Sequence, residues 1–124
     1  MNNNKVILIV EDEQKNLKLL RDLLQVSGYA TLEATNGQKG IELARDEMPD
    51  LILMDIQLPI LDGIKAIEIL KIDKTTQNIP IIVLSAFAMD KDKDRIAKAG
   101  SDGYLTKPID IRELLQIVKK YISE

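Results

Sequence analysis

Leu51-Ile52-Leu53-Met54-Asp55-Ile56-Gln57-Leu58-Pro59 is the stretch that decides the architecture. Leu51 to Met54 is an unbroken apolar run with no polar face, which marks a strand covered on both sides. Val6 to Val10 and Ile81 to Leu84 share that pattern, and weaker strand candidates lie at Ala30 to Ala34 and Gly103 to Leu105. Between these runs apolar residues recur at helical spacing. Leu17, Leu20 and Leu24 form one stripe, stopped by Ser27-Gly28. Ile41, Leu43, Ala44 and Met48 form a second, ended by Pro49, and Ile64, Ile67 and Leu70 a third. Ile111, Leu114, Leu115, Val118 and Ile122 make the last and clearest stripe. Asp110 stands where it can cap that helix, and Glu113 completes a capping-box-like arrangement. The segment Lys91 to Ala99 offers few large apolar anchors, so its helix is expected to be the least firmly held.

The alternation reads as (βα)5 without repeats or low-complexity tracts. It predicts a doubly wound α/β fold, a parallel sheet with helices on both faces and right-handed crossovers. In such sheets ligands sit beyond the carboxyl ends of the strands, where the strand order reverses. The 124 residues fit a single domain, read as 1–124 with no output domain attached.

Composition narrows the chemistry. Apolar residues make up 45% and charged residues 30%, enough for both a core and a soluble surface. The net charge of −3, without a basic run, gives nucleic-acid binding no electrostatic support. No apolar stretch approaches the roughly 20 residues of a membrane span, and the N-terminus lacks the layout of a signal peptide. Cysteine is absent, which excludes disulfides and thiol chemistry and points to a reducing cytoplasm. Histidine is absent too, so Ser-His triads, His-based zinc sites and phosphohistidine within the chain are excluded. Carboxylates, hydroxyls, lysines and backbone remain.

Those residue types stand at four strand ends: Glu11 and Asp12 after the first, Asp55 at the third, Ser85 after the fourth, Lys107 and Pro108 after the fifth. Asp62-Gly63 adds a turn after the third strand. Taken singly each has an ordinary explanation: a solvated loop acid, a cap, a surface charge. Glu13, beside a helix start and favourable with its dipole, fits that ordinary reading. The conjunction does not. Three carboxylates converging on one crevice repel one another unless a cation sits among them. Hard oxygen ligands in a small cluster suit Mg²⁺, which keeps several waters and shares its sphere with phosphate oxygens. Asp55 can then attack a phosphoryl group and hold it as an aspartyl phosphate, with Lys107 and Ser85 spreading the charge on the phosphoryl oxygens. A carboxylate is already ionised at neutral pH, so no general base is needed.

With these residues in view, the chain resembles response-regulator receiver domains from Lys5 to about Ile122. The pieces that carry the resemblance are Glu11-Asp12, Asp55, the Pro59 to Gly63 loop, Ser85-Ala86 and Lys107-Pro108. The tracts Asp-Leu-Ile-Leu-Met-Asp-Ile-Gln-Leu-Pro and Ala-Phe-Ala-Met look most like DivK-type single-domain regulators and the receivers of hybrid kinases. The resemblance implies a flavodoxin-like fold with strand order 2-1-3-4-5. It implies that Asp55 is phosphorylated by a histidine kinase or phosphotransfer partner. Glu11, Asp12, Asp55 and the backbone carbonyl of Gln57 would bind Mg²⁺, and Lys107 would pair with the phosphoryl group. The Lys107-Pro108 peptide would be cis. Ser85 would move onto a phosphoryl oxygen, and Tyr104 would report that movement to the outer face. The bland reading of Tyr104 is an amphipathic ring with its hydroxyl in water. Phe87 reads as a packing residue at the surface edge that, with Gln57, flanks the site.

Three other functions use a similar fold or similar residues. A phosphatase of the haloacid dehalogenase type needs a second Asp two residues after its nucleophile, where this chain has Gln57, and room for a cap. A flavodoxin-like cofactor carrier needs a phosphate loop after the first strand, where Glu11-Asp12-Glu13 would repel a flavin phosphate. A pseudo-receiver binding module would lack one of the key side chains, and all five are present. Signalling is expected to run through protein contacts on the face of the fourth helix, fifth strand and fifth helix, as a monomer or a phosphorylation-dependent dimer.

Overall fold

The computed structural model describes residues 5–56, 62–86 and 90–122, with backbone alone for 90–93. Five strands alternate with five helices: β1 Val6–Val10, α1 Gln14–Val26, β2 Ala30–Ala34, α2 Gly37–Glu47, β3 Leu51–Asp55, α3 Gly63–Ile72, β4 Ile81–Ser85, α4 Asp90–Ala99, β5 Gly103–Thr106 and α5 Ile111–Ile122. The strands form one sheet in the order β2-β1-β3-β4-β5, and every pairing is parallel.

Side chains two apart on a strand share a face, so each apolar run feeds two cores. Leu8, Val10, Ile52, Met54, Ile81 and Val83 pack with α2, α3 and α4 through Ile41, Ala44, Ile67, Leu70 and Ile96. Ile7, Ile9, Leu51, Leu53, Ile82 and Leu84 face the other way, against Leu17, Leu20 and Leu24 of α1 and Leu114, Val118 and Ile122 of α5. That is why these runs have no polar alternation.

The helix ends follow local chemistry. Glu13 is the N-cap of α1, its carboxylate accepting the Asn16 amide at 2.9 Å. Gly28 closes the same helix at φ +100°, a conformation open to glycine. α2 stops at Glu47, just ahead of Pro49, with Met48 in the left-handed region at φ 49°. Asp110 accepts the amides of Arg112 and Glu113 at the start of α5. Of the α4 side chains described, only Ile96 and Ala99 are buried, in keeping with its sparse anchoring.

Three strands run one residue further than their apolar runs suggest, through Asp55, Ser85 and Thr106. The ladder explains it, because the Ile56 amide still reaches the Leu84 carbonyl at 3.2 Å and the Lys107 amide the Ser85 carbonyl at 2.7 Å. Asp55 and Ser85 are therefore strand residues, held by the sheet rather than by loops.

Candidate functional site

Strand register assembles the site. Val10 pairs with Met54, which brings the next residues, Glu11 and Asp55, side by side at the carboxyl end of the sheet. Asp55 pairs with Leu84, so Ser85 follows on the neighbouring strand, and Ser85 pairs with Thr106, which Lys107 follows. Residues far apart in the chain are thus delivered to one crevice by parallel pairing alone. Glu11, Asp55 and Ser85 are buried, whereas Asp12 faces solvent.

One carboxylate oxygen from each of Glu11, Asp12 and Asp55 lies within 4.8 Å of the others. The Lys107 ammonium points among them, 3.0 Å from Asp55 Oδ2 and 3.4 Å from Glu11 Oε1. The Glu13 amide donates to Glu11 Oε2 at 3.1 Å. Burial pushes the Glu11 carboxyl up to about 7, opposed by the Glu13 amide and reinforced by the neighbouring Asp55. Burial alone would lower the Lys107 ammonium. The hydrogen bond and charge of Asp55, with Glu11 behind it, instead hold it above its ordinary value. Three acids against one ammonium leave negative charge in excess, and all the donors are hard oxygens. A dication of the Mg²⁺ type, which keeps several waters of its own, fits that donor set, in which Asp12 is exposed to solvent.

The structure gathers Glu11, Asp12, Asp55, Ser85 and Lys107 at the same end of the sheet. The Lys107-Pro108 peptide is cis. Gln57, whose carbonyl the resemblance gives to the metal, and Phe87 lie outside the described residues, as do Pro59 to Leu61 of the loop and Ala88 and Met89. Tyr104 departs from its bland reading. Its ring packs on the α2–α3–α4 core and its phenolic oxygen is buried instead of resting in water.

Two features escaped the reading of the sequence. Asp62 does more than turn the chain: it is the N-cap of α3, accepting the Lys65 amide at 2.9 Å. A groove of about 440 Å³ also opens beside the crevice, with Leu19, Leu23, Pro108 and Ile109 among its apolar lining and Glu11 and Lys107 shared with the acidic cluster. Its helical wall could have been suspected from Leu19 and Leu23, which widen the α1 stripe beyond what one sheet face can cover. Among the described residues no helix is long and apolar enough to cross a membrane.

Comparison with known proteins agrees with this fold. The response regulator receiver domain family matches residues 7–119. The polar-differentiation response regulator DivK of Brucella anthropi is 43% identical over 120 residues, covering 97% of this chain and 98% of that protein. DivK of Brucella ovis is 42% identical over the same shares. Among solved structures, the receiver domain of the sensor histidine kinase PA1611 from Pseudomonas aeruginosa PAO1 superposes with a TM-score of 0.91 at 32% identity. It covers 98% of this chain and 100% of that one, and holds a magnesium ion coordinated in its active site cleft. The chemotaxis protein CheY4 of Vibrio cholerae, 22% identical, shares the fold with a TM-score of 0.91, covering 97% of this chain and 100% of its own.

Proposed function

The chain belongs to the response regulator receiver domain family, and from that premise we propose that it is a phosphoacceptor switch whose accepting residue is Asp55. The observation that carries this reading is the convergence of Glu11, Asp12 and Asp55 around the Lys107 ammonium at the carboxyl end of a parallel sheet. Glu11, Asp12, Asp55 and the carbonyl of Gln57, the last outside the described residues, would hold Mg²⁺. When bound, that ion supplies positive charge against the phosphoryl oxygens.

The rest is done by the chain's own groups. A carboxylate oxygen of Asp55 attacks phosphorus, the bond from phosphorus to the donor nitrogen breaks, and the donor imidazole keeps that electron pair. Asp55 becomes a mixed anhydride. Lys107, already 3.0 Å from Asp55 Oδ2, pairs with a phosphoryl oxygen. The Ser85 hydroxyl donates to another, and Tyr104 follows the space Ser85 leaves.

The donor is a histidine kinase or a phosphotransfer protein of the cytoplasm. Its surface must cover the crevice rim for phosphorus to reach Asp55, and the groove along α1 shares Glu11 and Lys107 with the site. Leu19→Arg is expected to slow transfer from a phosphohistidine protein while leaving transfer from acetyl phosphate unchanged. Equal effects on both donors would remove the groove from the account. Output runs through the α4–β5–α5 face to a protein target. Amide shifts induced by a phosphoryl analogue are expected there, and shifts confined to the α1–α2 side would refute it.

Incubation with Mg²⁺ and acetyl phosphate, read by intact mass, tests the whole proposal. Wild type gains one phosphoryl group and Asp55→Asn gains none. A wild type that stays unmodified would support the pseudo-receiver reading instead.

A further inference from the structure

We propose that Gly63 is a positioning residue for the phosphoacceptor, a claim that rests on the reading of Asp55 above. Its missing side chain lets the first turn of α3 sit directly on the peptide that joins Asp55 to Ile56. That contact fixes the direction in which the Asp55 carboxylate leaves β3.

The geometry is specific. The Gly63 amide donates to the Ile56 carbonyl at 3.1 Å. A Cβ at Gly63 would run into the Asp55 carbonyl oxygen and lie 2.7 Å from Ile56 Cα. Both are backbone atoms that cannot rotate aside. At Gly103 the nearest obstacle is Ile82 Cδ1 at 2.7 Å, the far end of a flexible side chain. Among the described glycines only Gly28 and Gly100 have positive φ, so Gly63 is demanded by space and not by backbone conformation. Within a helix, alanine is favoured over glycine by about 1 kcal/mol. What the residue packs against overrides that preference.

The clamp closes from both sides. On one, the Ile56 amide is tied to the Leu84 carbonyl of β4 at 3.2 Å. On the other, Asp62 holds the turn of α3, its side chain on the Lys65 amide at 2.9 Å and its carbonyl on the Ala66 amide at 3.0 Å. An added methyl must push the Asp55–Ile56 peptide or lift the helix start. Either way the carboxylate swings relative to Glu11, Asp12 and Lys107. Misplacement of a reacting group by about 1 Å can cost about 100-fold in rate.

Gly63→Ala and Gly103→Ala are compared with wild type on three readouts. These are the phosphorylation rate with acetyl phosphate at saturating Mg²⁺, the Mg²⁺ dissociation constant from the amide shifts of Asp12 and Ile56, and the melting temperature. Gly63→Ala is expected to slow phosphorylation at least tenfold and to weaken Mg²⁺ binding at least fivefold. Gly103→Ala stays within twofold on both, even where its melting temperature falls as far. A Gly63→Ala protein within twofold of wild type on both readouts, or a Gly103→Ala protein slowed equally, overturns the proposal. An unmodified wild type marks failure of the phosphoacceptor reading, and the Mg²⁺ titration then decides the positioning claim by itself. Should Gly63→Ala not fold, Asp62→Ala loosens the same turn without adding an atom. It is expected to slow phosphorylation at least threefold, and an unchanged rate counts against the clamp.

Discussion

The two ends of the sheet use the same residue type in opposite ways. At the amino end, Asp50 precedes β3 and accepts the Val6 amide at 2.8 Å, while its own amide reaches the Val6 carbonyl at 2.8 Å. Asp102 precedes β5 and does the same for β4: its carboxylate takes the Ile81 amide at 2.8 Å, and its amide donates to the Ile81 carbonyl at 2.8 Å. Lys71 adds an ammonium 2.9 Å from the same Asp102 oxygen. Each acid there staples two strand starts together, with fixed donors aimed at it. At the carboxyl end the acids face one another. Glu11 and Asp55 share Lys107, Asp12 joins them within 4.8 Å, and burial drives Glu11 up to about 7. A carboxylate with its own donors is architecture. Acids that compete for one cation leave an excess of negative charge that a further cation would relieve, and the proposed phosphoacceptor role rests on that excess.

The contrast can be broken at its strongest point by Lys107→Ala. Loss of that ammonium is expected to slow phosphorylation by acetyl phosphate about 100-fold or more. Lys71→Ala at the other end is expected to leave the rate unchanged. Equal losses in the two variants would erase the distinction.

Next in size is a pH effect. In the metal-free folded chain Glu11 keeps its proton up to about 7, whereas the unfolded carboxyl releases it near 4.5. The folded state therefore binds the extra proton between those values. The associated stability is complete below pH 4.5 and is lost as pH rises through about 7. The full loss is on the order of 3 kcal/mol at most. Urea denaturation in EDTA at several pH values checks it, with Glu11→Gln flattening the slope. Stability that rises between pH 5 and 8 in wild type, and equally in the Gln variant, would contradict the assignment.

Asp102→Ala tests the amino end in turn. Removal of its carboxylate strips a partner from the Ile81 amide and is expected to cost about 1–3 kcal/mol, with phosphorylation unaltered. A phosphorylation defect larger than the loss of folded protein would show that the two ends are coupled. The smallest expected effect lies outside both regions. Lys18 and Asp22 form an exposed pair along α1 at 2.8 Å, and Lys18→Ala is expected to produce no resolvable change in melting temperature or phosphorylation rate.

Much of the carboxyl end was legible in the sequence because its signals are local. Runs such as Leu51 to Met54 announce strands buried on both faces, and the acids, serine and lysine stand immediately after such runs. Parallel pairing then leaves them nowhere to go but one crevice. The amino end was not legible. Nothing in the neighbourhood of Asp50 or Asp102 says that their carboxylates will meet Val6 and Ile81, 44 and 21 residues away. Lys71 reads as an ordinary helix-surface cation until the chain brings Asp102 against it. Gly63 looked like half of a turn because the backbone it must avoid belongs to another element. Tyr104 gave an ambiguous signal for a related reason: whether a phenol points to water or to a core is decided by the helices around it.

Chemical trapping of the phosphorylated residue tests the central claim most directly. Borohydride reduces an aspartyl phosphate to homoserine and leaves free carboxylates untouched. After incubation with Mg²⁺ and acetyl phosphate, then borohydride and proteolysis, mass spectrometry is predicted to find homoserine at position 55 and at no other acid. Homoserine at Asp12 or another acid, or none in a protein that has gained phosphoryl mass, would contradict the account.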